Sequence, residues 1–209
     1  MKQVIIGIDF DNTIVSYDSL IYEKAIQRDL ILPSIIKRKK IIRDAIRELQ
    51  DGDIEWQKIQ AVIYGPEIDK AKVIKGVKIF FNMCKKRSIK TFIISHKTEF
   101  SNHDSSKTNL RAAALKWMEQ NKFFEPAGFG LSFEDVYFES TRAGKVARIN
   151  NLNCTHFIDD LEETFLEPSF PVDVEKILYE PHIKRAAIKG MKTANSWKEI
   201  RDYFFSTNR

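Results

Sequence analysis

The chain has 209 residues, 43% of them hydrophobic and 30% charged, which is typical of a globular protein with one substantial core and excludes an intrinsically disordered chain. Its 34 Lys and Arg outnumber its 29 Asp and Glu, for a formal net charge of +5. This excess is small and spread along the chain, so it favours a solvated surface over a nucleic-acid interface.

The first predicted element is a strand over residues 4–9, VIIGID, a continuous apolar run of the kind found in strands covered on both faces. A segment from about residue 16 to 71 follows that contains only helical patterns. Breaks at Pro33, at residues 51–53 and at Gly65-Pro66 divide this segment. The predicted helices between the breaks cover residues 18–32, 33–50 and 53–64.

The second of these helices carries a basic run, KRKK, at residues 37–40. Ile35, Ile42, Ile46 and Leu49 form one apolar stripe along the helix, and the basic residues lie largely off it. The run is therefore expected to be the solvated face of an amphipathic helix, with a nucleic-acid or targeting patch as the alternative.

After residue 72, strand patterns and helix patterns alternate. The predicted strands cover residues 90–95, 135–140, 156–160 and 176–180. The predicted helices cover residues 72–87, 108–120, 140–150 and 196–205. Such alternation predicts an α/β fold with a doubly wound, mostly parallel sheet. We expect a core domain formed by residues 1–15 and 72–209, with a small helical domain, residues 16–71, inserted after the first strand.

Cysteine usage and the amino-terminal residues bear on the cellular compartment. Cys84 and Cys154 lie in unrelated contexts without a CxxC pair, which argues against a disulfide framework and a zinc site and fits a reducing compartment. The apolar run after Met1 spans about six residues and is broken by acids, so it does not predict a signal peptide. No apolar stretch approaches the roughly 20 residues of a membrane span. We expect a soluble, cytoplasmic protein without membrane association.

Polar side chains gather at the predicted carboxyl ends of the strands, the edge where ligands bind in open parallel sheets. They are the stretch Asp9 to Thr13 (DFDNT), the stretch Ser95 to Thr98 (SHKT), the pair Asp159-Asp160, and Lys145 in the first turns of the helix before that pair. Carboxylates, a hydroxyl and an ammonium group would thus meet at one edge. This combination of groups predicts phosphoryl-transfer chemistry.

Each of these groups has a place in such a reaction. Asp9 with Asp159 or Asp160 could hold Mg²⁺, which prefers a few carboxylates together with water and phosphate oxygens. The ion would relieve the repulsion between the acids and neutralise charge on the phosphoryl oxygens. One carboxylate is a plausible nucleophile at phosphorus, and a second, two residues along, can protonate the leaving oxygen and later activate water. Ser95 and Lys145 would donate to the non-bridging oxygens.

In these residues the sequence resembles the haloacid dehalogenase-like (HAD) hydrolase superfamily. The four motifs of that family occur in order, as DFDNT at 9–13, IIS at 93–95, Lys145, and FIDD at 157–160. The resemblance spans roughly residues 3–15 and 75–205. Within the superfamily, dehalogenases lack the second acid of the first motif and ATPases carry Thr there. An Asp at residue 11 therefore points to the phosphatases and phosphomutases.

The resemblance also implies a role for each motif residue. Asp9 would be the nucleophile and a metal ligand. Asp11 would be the general acid/base and would offer its main-chain carbonyl to Mg²⁺. Ser95 and Lys145 would bind the phosphoryl group, and Asp159 would complete the metal site. The candidates for supporting positions around these residues are Thr13, His96 and Asp160.

The helical segment 16–71 would be the cap of the family, and a cap of this size usually accompanies small-molecule substrates. The implied function is Mg²⁺-dependent hydrolysis of a small phosphorylated metabolite, such as a sugar phosphate, through an aspartyl-phosphate. Three alternatives stay open: a phosphomutase, a nucleic-acid end phosphatase, and a binding or regulatory protein that keeps the scaffold without turnover. Lys97 and Lys107 are rivals of Lys145 as the phosphate ligand. Neither the substrate nor the oligomeric state follows from the sequence.

Overall fold

The computed structural model of the chain describes residues 3–101, 103, 107–181 and 188–206. The strands of its main sheet are β1 (Ile5–Ile8), β4 (Lys90–His96), β5 (Val136–Glu139), β6 (His156–Asp159), β7 (Glu175–Tyr179) and β8 (Lys192–Ala194). They lie in the order β5-β4-β1-β6-β7-β8, and the paired strands run parallel. The predicted α/β fold with a parallel sheet is confirmed, and β8 extends the sheet beyond the five predicted strands. Two further strands, β2 (Val15–Ser16) and β3 (Lys72–Val73), form a separate pair.

Helices lie between the strands and after the last of them. They are α1 (Asp18–Gln27), α2 (Lys39–Arg47), α3 (Gly52–Tyr64), α4 (Val77–Lys86), α5 (Leu110–Gln120), α6 (Arg142–Asn151), α7 (Glu162–Phe165) and α8 (Trp197–Phe205), with short 3-10 helices at Ile68–Lys70 and Phe133–Asp135. None of the helices in the described ranges is long and apolar enough to cross a membrane.

The helix predicted over residues 33–50 is wrong at its start, because α2 begins only at Lys39. Before it, the backbone N–H of Ile35 donates to the carbonyl of Leu32 and that of Arg38 to the carbonyl of Ile36. These are turn bonds that compete with a helical ladder. Half of the KRKK run therefore precedes the helix, and the Lys37 ammonium lies 4.3 Å from the ring centroid of Tyr22.

The residues group into two compact units. The first unit comprises Met1–Ile14, Val73–Lys97 and Asn121–Arg209 and contains the six-stranded sheet. The second comprises Val15–Lys72 and Thr98–Gln120. Residues 98–120 were expected in the sheet domain but group with the helical insertion, where the indole N–H of Trp117 donates to the carbonyl of Ala71 at 3.1 Å. The role of the second unit as a cap stays a prediction.

Both faces of the sheet are covered, which explains the continuous apolar runs in its strands. Successive strand residues point to opposite faces, and in β6 both Phe157 and Ile158 are fully buried. Val146 and Ile149 of α6 belong to the same core cluster as Phe157. The carboxyl ends of these strands carry the polar residues discussed below.

One core residue, Trp197, is hydrogen-bonded to the backbone of the first motif. Its indole N–H donates to the carbonyl of Thr13 at 2.9 Å, and its ring centroid lies 5.1 Å from that of Phe80. We expect Trp197→Phe to lower the free energy of unfolding by about 1–3 kcal/mol, because the variant loses this donor and part of the ring volume. Urea denaturation monitored by circular dichroism would measure the change. An unaltered midpoint would mean that this contact does not contribute to stability.

Candidate active site

The first motif leaves β1 as an ordered turn. The backbone N–H of Asp9 donates to the carbonyl of Ile158 at 2.8 Å, which continues the pairing of β1 with β6 by one residue. Phe10 is fully buried and packs edge-on against Phe138 of β5. Asn12 has a φ of 61°, a left-handed conformation that Asn tolerates better than most residues. The motif therefore has a fixed backbone that holds its two acids in place.

Four predicted site residues meet in one buried cluster. The Lys145 ammonium donates to Oδ1 of Asp9 and to Oδ2 of Asp159, at 2.6 Å in each case, and the Ser95 hydroxyl donates to Oδ1 of Asp9 at 2.9 Å. None of the four residues is more than 4% exposed. They come together because β1 lies between β4 and β6, so that three parallel strands end side by side.

Helix α6 carries Lys145 into this cluster. The helix begins after Thr141, whose hydroxyl accepts from the backbone N–H of Gly144 at 3.0 Å and so caps the first turn. The backbone N–H of Lys145 bonds to the carbonyl of Thr141, and its ammonium lies 5.3 Å from the ring centroid of Phe157. The sequence STRAGK thus encodes both the start of the helix and the place of the lysine.

The acids at the end of β6 complete a set of carboxylate oxygens that could serve as metal ligands. Carboxylate oxygens of Asp9, Asp159 and Asp160 all lie within 4.8 Å of one another. Oδ1 of Asp159 also accepts from the backbone N–H of Leu161 at 3.0 Å, which fixes that side chain. Hard oxygen ligands at this spacing fit Mg²⁺.

A second buried lysine faces the other acid of the first motif. The Lys97 ammonium lies 2.8 Å from Oδ2 of Asp11 and 3.1 Å from Oδ1. Lys97 is 4% exposed, and its backbone N–H donates to the carbonyl of Glu139 at 2.9 Å. When all are ionised, the two lysines and the four acids, Asp9, Asp11, Asp159 and Asp160, together carry a net charge of −2. A divalent cation would balance that charge.

The electrostatics of the cluster reflect its burial. Burial raises the pKa of the Asp9 carboxyl to about 6, with further upward contributions from Asp159 and Asp11 and an opposing one from Lys145. Burial alone would lower the pKa of Lys145, but the carboxylates of Asp159 and Asp9 hold it above its ordinary value. The ammonium therefore stays charged at neutral pH, whereas Asp9 loses its proton less readily than an ordinary carboxyl, and a further cation would ease that loss.

The remaining residues predicted to belong to the site, or to compete with Lys145 for phosphate, differ in their burial and contacts. Nε2 of His96 lies 3.1 Å from the carbonyl oxygen of Ser140 and would donate to it, and burial lowers the pKa of the ring. Thr13 is fully buried, and its hydroxyl has no hydrogen-bond partner among the described residues. Lys107 is exposed and belongs to the second unit. Which lysine binds phosphate stays a prediction, although Lys145 and Lys97 both contact the acids.

Sequence reasoning missed two features of the site. The contact between Lys97 and Asp11 was not foreseen, although the position of Lys97 two residues after Ser95 is a signal that could have indicated it. The side-chain amide of Asn12 is also buried without a hydrogen-bond partner among the described residues. The position of Asn12 directly after Asp11 in the motif could have indicated that its side chain lies in the site.

Comparison with known proteins identifies solved structures with a similar fold. No family model and no curated protein matches the sequence. A haloacid dehalogenase-like hydrolase family protein from Streptococcus pneumoniae aligns with a TM-score of 0.64 and 15% identity over 97% of this chain and 99% of that chain. A predicted phosphoglycolate phosphatase from Haemophilus somnus aligns with a TM-score of 0.58 and 12% identity over 98% and 99%.

A third solved structure is a HAD hydrolase from Bacillus subtilis bound to magnesium, with a TM-score of 0.53 and 10% identity over 99% of this chain and 100% of that chain. At these identities the likeness is one of fold, and it extends over nearly the whole length of each protein. The chain therefore has the fold of the HAD-superfamily hydrolases.

Proposed function

We propose that this chain is a Mg²⁺-dependent phosphatase that hydrolyses a small phosphorylated metabolite, such as a sugar phosphate. The observation that carries the proposal is the buried cluster in which Lys145 bridges Asp9 and Asp159 while Ser95 donates to Asp9. The proposed nucleophile Asp9 is thus hydrogen-bonded to both proposed phosphate-binding donors, and one of them is also hydrogen-bonded to the metal ligand Asp159. The fold neighbours named for a phosphatase and for bound magnesium add support.

The residues that would hold Mg²⁺ are Asp9, Asp159 and Asp160, together with the main-chain carbonyl of Asp11. The spacing of the three carboxylates and the net charge of the site support this assignment. When bound, the ion would neutralise negative charge on the oxygens of the phosphoryl group.

In the first step, a carboxylate oxygen of Asp9 attacks phosphorus, and the bond between phosphorus and the leaving oxygen breaks. The Asp11 carboxyl gives its proton to that oxygen, so that the alcohol leaves neutral and an aspartyl-phosphate remains on Asp9. The donors on Oδ1 of Asp9, Ser95 and Lys145, fix the orientation of this carboxylate, and in-line attack depends on such an orientation.

In the second step, water attacks the phosphorus of the aspartyl-phosphate and gives a proton to the Asp11 carboxylate. The bond between phosphorus and the Asp9 oxygen breaks, which releases inorganic phosphate and restores both acids to their starting states. The ammonium of Lys145 has a third N–H, which would donate to a non-bridging oxygen in both transition states, and the Ser95 hydroxyl would turn its single proton from Asp9 to such an oxygen once the phosphoryl group is bound. Because both groups are almost fully buried, they act in surroundings of low dielectric constant, where such donors are strongest.

A small substrate fits the charge of the helical insertion better than a nucleic acid does. Residues 15–72 contain eleven Lys and Arg against ten Asp and Glu, so the basic run at 37–40 is balanced within the same segment. Several of its basic groups lie in ion pairs, as Arg43 does with Asp44 and Arg47 with Asp53. Polyanion binding needs a clustered excess of positive charge, and this balance gives no support for one.

The direct test is release of inorganic phosphate from 4-nitrophenyl phosphate and from a panel of sugar phosphates, with and without Mg²⁺. We expect turnover that depends on Mg²⁺ and is lost on chelation, because the acids of the site then repel one another and the phosphoryl group. Product analysis separates hydrolysis from mutase activity, since a mutase would yield an isomerised ester. Absence of Mg²⁺-stimulated phosphate release from every compound of a broad panel would contradict the proposal.

A further inference from the structure

Lys97 lies in the site but is not explained by the reaction described above. Its ammonium contacts both carboxylate oxygens of Asp11, at 2.8 and 3.1 Å. The Lys97 side chain is 2% exposed and the Asp11 side chain 16%. Burial of an ammonium group costs free energy that pairing with a carboxylate only partly offsets, so the placement of Lys97 against this particular acid calls for a reason.

The local fold directs Lys97 towards Asp11. Strand β4 ends at His96, but the backbone N–H of Lys97 still donates to the carbonyl of Glu139 and so continues the pairing with β5 by one residue. The Lys97 ammonium lies 5.8 Å from the ring centroid of Phe10. A side chain that leaves a paired backbone and extends past a buried ring has little freedom to turn elsewhere.

The two buried lysines of the site contact different acids. Lys145 bridges Asp9 and Asp159, the proposed nucleophile and metal ligand. Lys97 contacts Asp11, the proposed general acid/base. This division separates a lysine that acts on the phosphoryl group from one that acts on the proton-transfer residue.

We infer that Lys97 is a positioning residue, which fixes the Asp11 carboxyl in the orientation that delivers its proton to the leaving oxygen. The inference rests on the proposed phosphatase function. Lys97 would hold one carboxyl oxygen of Asp11 so that the other faces the leaving oxygen of the substrate. A misplacement of about 1 Å in such a group costs on the order of 100-fold in rate, so loss of the ammonium would be felt in the step that needs the proton.

The test compares Lys97→Met, Asp11→Asn and the double variant on two substrates. Ethyl phosphate has a poor leaving group that needs the proton of Asp11, whereas 4-nitrophenyl phosphate has a good leaving group that hardly needs it. We expect Lys97→Met to lower kcat/KM about 100-fold for ethyl phosphate and clearly less for 4-nitrophenyl phosphate. The double variant should match Asp11→Asn, because a lysine whose role is to orient the Asp11 carboxyl has nothing to orient once that carboxyl is replaced.

A binding measurement provides a readout besides turnover. Calorimetric titration with inorganic phosphate in the presence of Mg²⁺ should give the same affinity for Lys97→Met and the wild type, because a positioning residue does not hold the anion. Lys78→Met, which removes an exposed lysine from α4, is the matched control and should behave as the wild type in both assays. Lys97→Arg should recover part of the lost activity, since it keeps the charge.

Several outcomes would overturn the inference. One is an equal loss of kcat/KM on both substrates, and another is a double variant that is markedly slower than Asp11→Asn. A loss of phosphate affinity in Lys97→Met would instead make Lys97 an anion ligand. If Lys97→Met does not fold, the double variant, in which both charges are absent, still decides through its comparison with Asp11→Asn. Failure of the proposed function is distinct, because the wild type would then release no phosphate from either substrate.

Discussion

Asp9→Asn should lower the rate of phosphate release by about 10⁴-fold or more, because an amide cannot replace a carboxylate as the nucleophile at phosphorus. The substitution keeps the size of the side chain and leaves an amide oxygen to accept from Ser95 and Lys145, which both contact Oδ1 of Asp9 in the structure. The loss should therefore appear in kcat rather than as unfolding. Initial rates on 4-nitrophenyl phosphate with Mg²⁺ would measure it.

Stability separates this effect from simple damage to the fold. Burial raises the pKa of Asp9 to about 6, which means that ionising this carboxyl costs more free energy in the folded than in the unfolded chain, so its charge destabilises the folded protein at neutral pH. Without Mg²⁺ we therefore expect Asp9→Asn to unfold at a temperature no lower than that of the wild type. Asp173→Asn, a change at an exposed acid, should leave both rate and stability unaltered. Full activity of Asp9→Asn would refute the proposed mechanism.

The parts of this structure that the sequence predicted share one physical feature. The central strands are continuous apolar runs bounded by polar residues, and such runs mark strands buried on both faces. Parallel strands bring their carboxyl ends to one edge, so the meeting of Asp9, Ser95 and Asp159 followed from the topology alone. The capped helix that begins after Thr141 made the arrival of Lys145 predictable as well.

The parts that were missed depend on contacts that a linear pattern does not contain. Strand β8 has three residues, Lys192–Ala194, and no apolar run, so only its pairing with β7 identifies it. Residues 98–120 look like any helix of a doubly wound sheet, and only tertiary packing, such as the contact of Trp117 with Ala71, groups them with the helical unit. The contact of Lys97 with Asp11 depends on the direction of the chain after β4. In each case a tertiary contact, and not local propensity, decides the outcome.

Lys145→Met should be the most damaging change to the site, because it acts on stability and activity together. The ammonium separates two carboxylates that it contacts at 2.6 Å, and all three residues are buried. Removing one partner of a buried ionic cluster costs about 3–5 kcal/mol, since the remaining charges are left uncompensated. For a chain of this length that corresponds to a fall in Tm of about 6–20 °C, which thermal denaturation without Mg²⁺ would detect.

The pH dependence of the stability lost in Lys145→Met follows from the pKa of Lys145. The neighbouring carboxylates hold that pKa above its ordinary value, so the stability contributed by the ammonium is fully present below the pKa of the unfolded chain and is lost only as pH rises through the folded-state value. The difference in stability between the wild type and Lys145→Met should therefore not shrink between about pH 7 and 9. A difference that shrinks within this interval would mean that the lysine is not held as an ammonium.

Activity should fall independently of stability. Assayed well below its Tm, Lys145→Met should lose about 10²–10³-fold in kcat, the usual effect of removing one donor to the charge that develops in a transition state. Lys78→Met again provides the comparison for removal of an exposed lysine from the same unit. A folded Lys145→Met protein with unreduced turnover would exclude Lys145 as a phosphoryl ligand, and Lys97, the other lysine that contacts the acids, would become the candidate for that role.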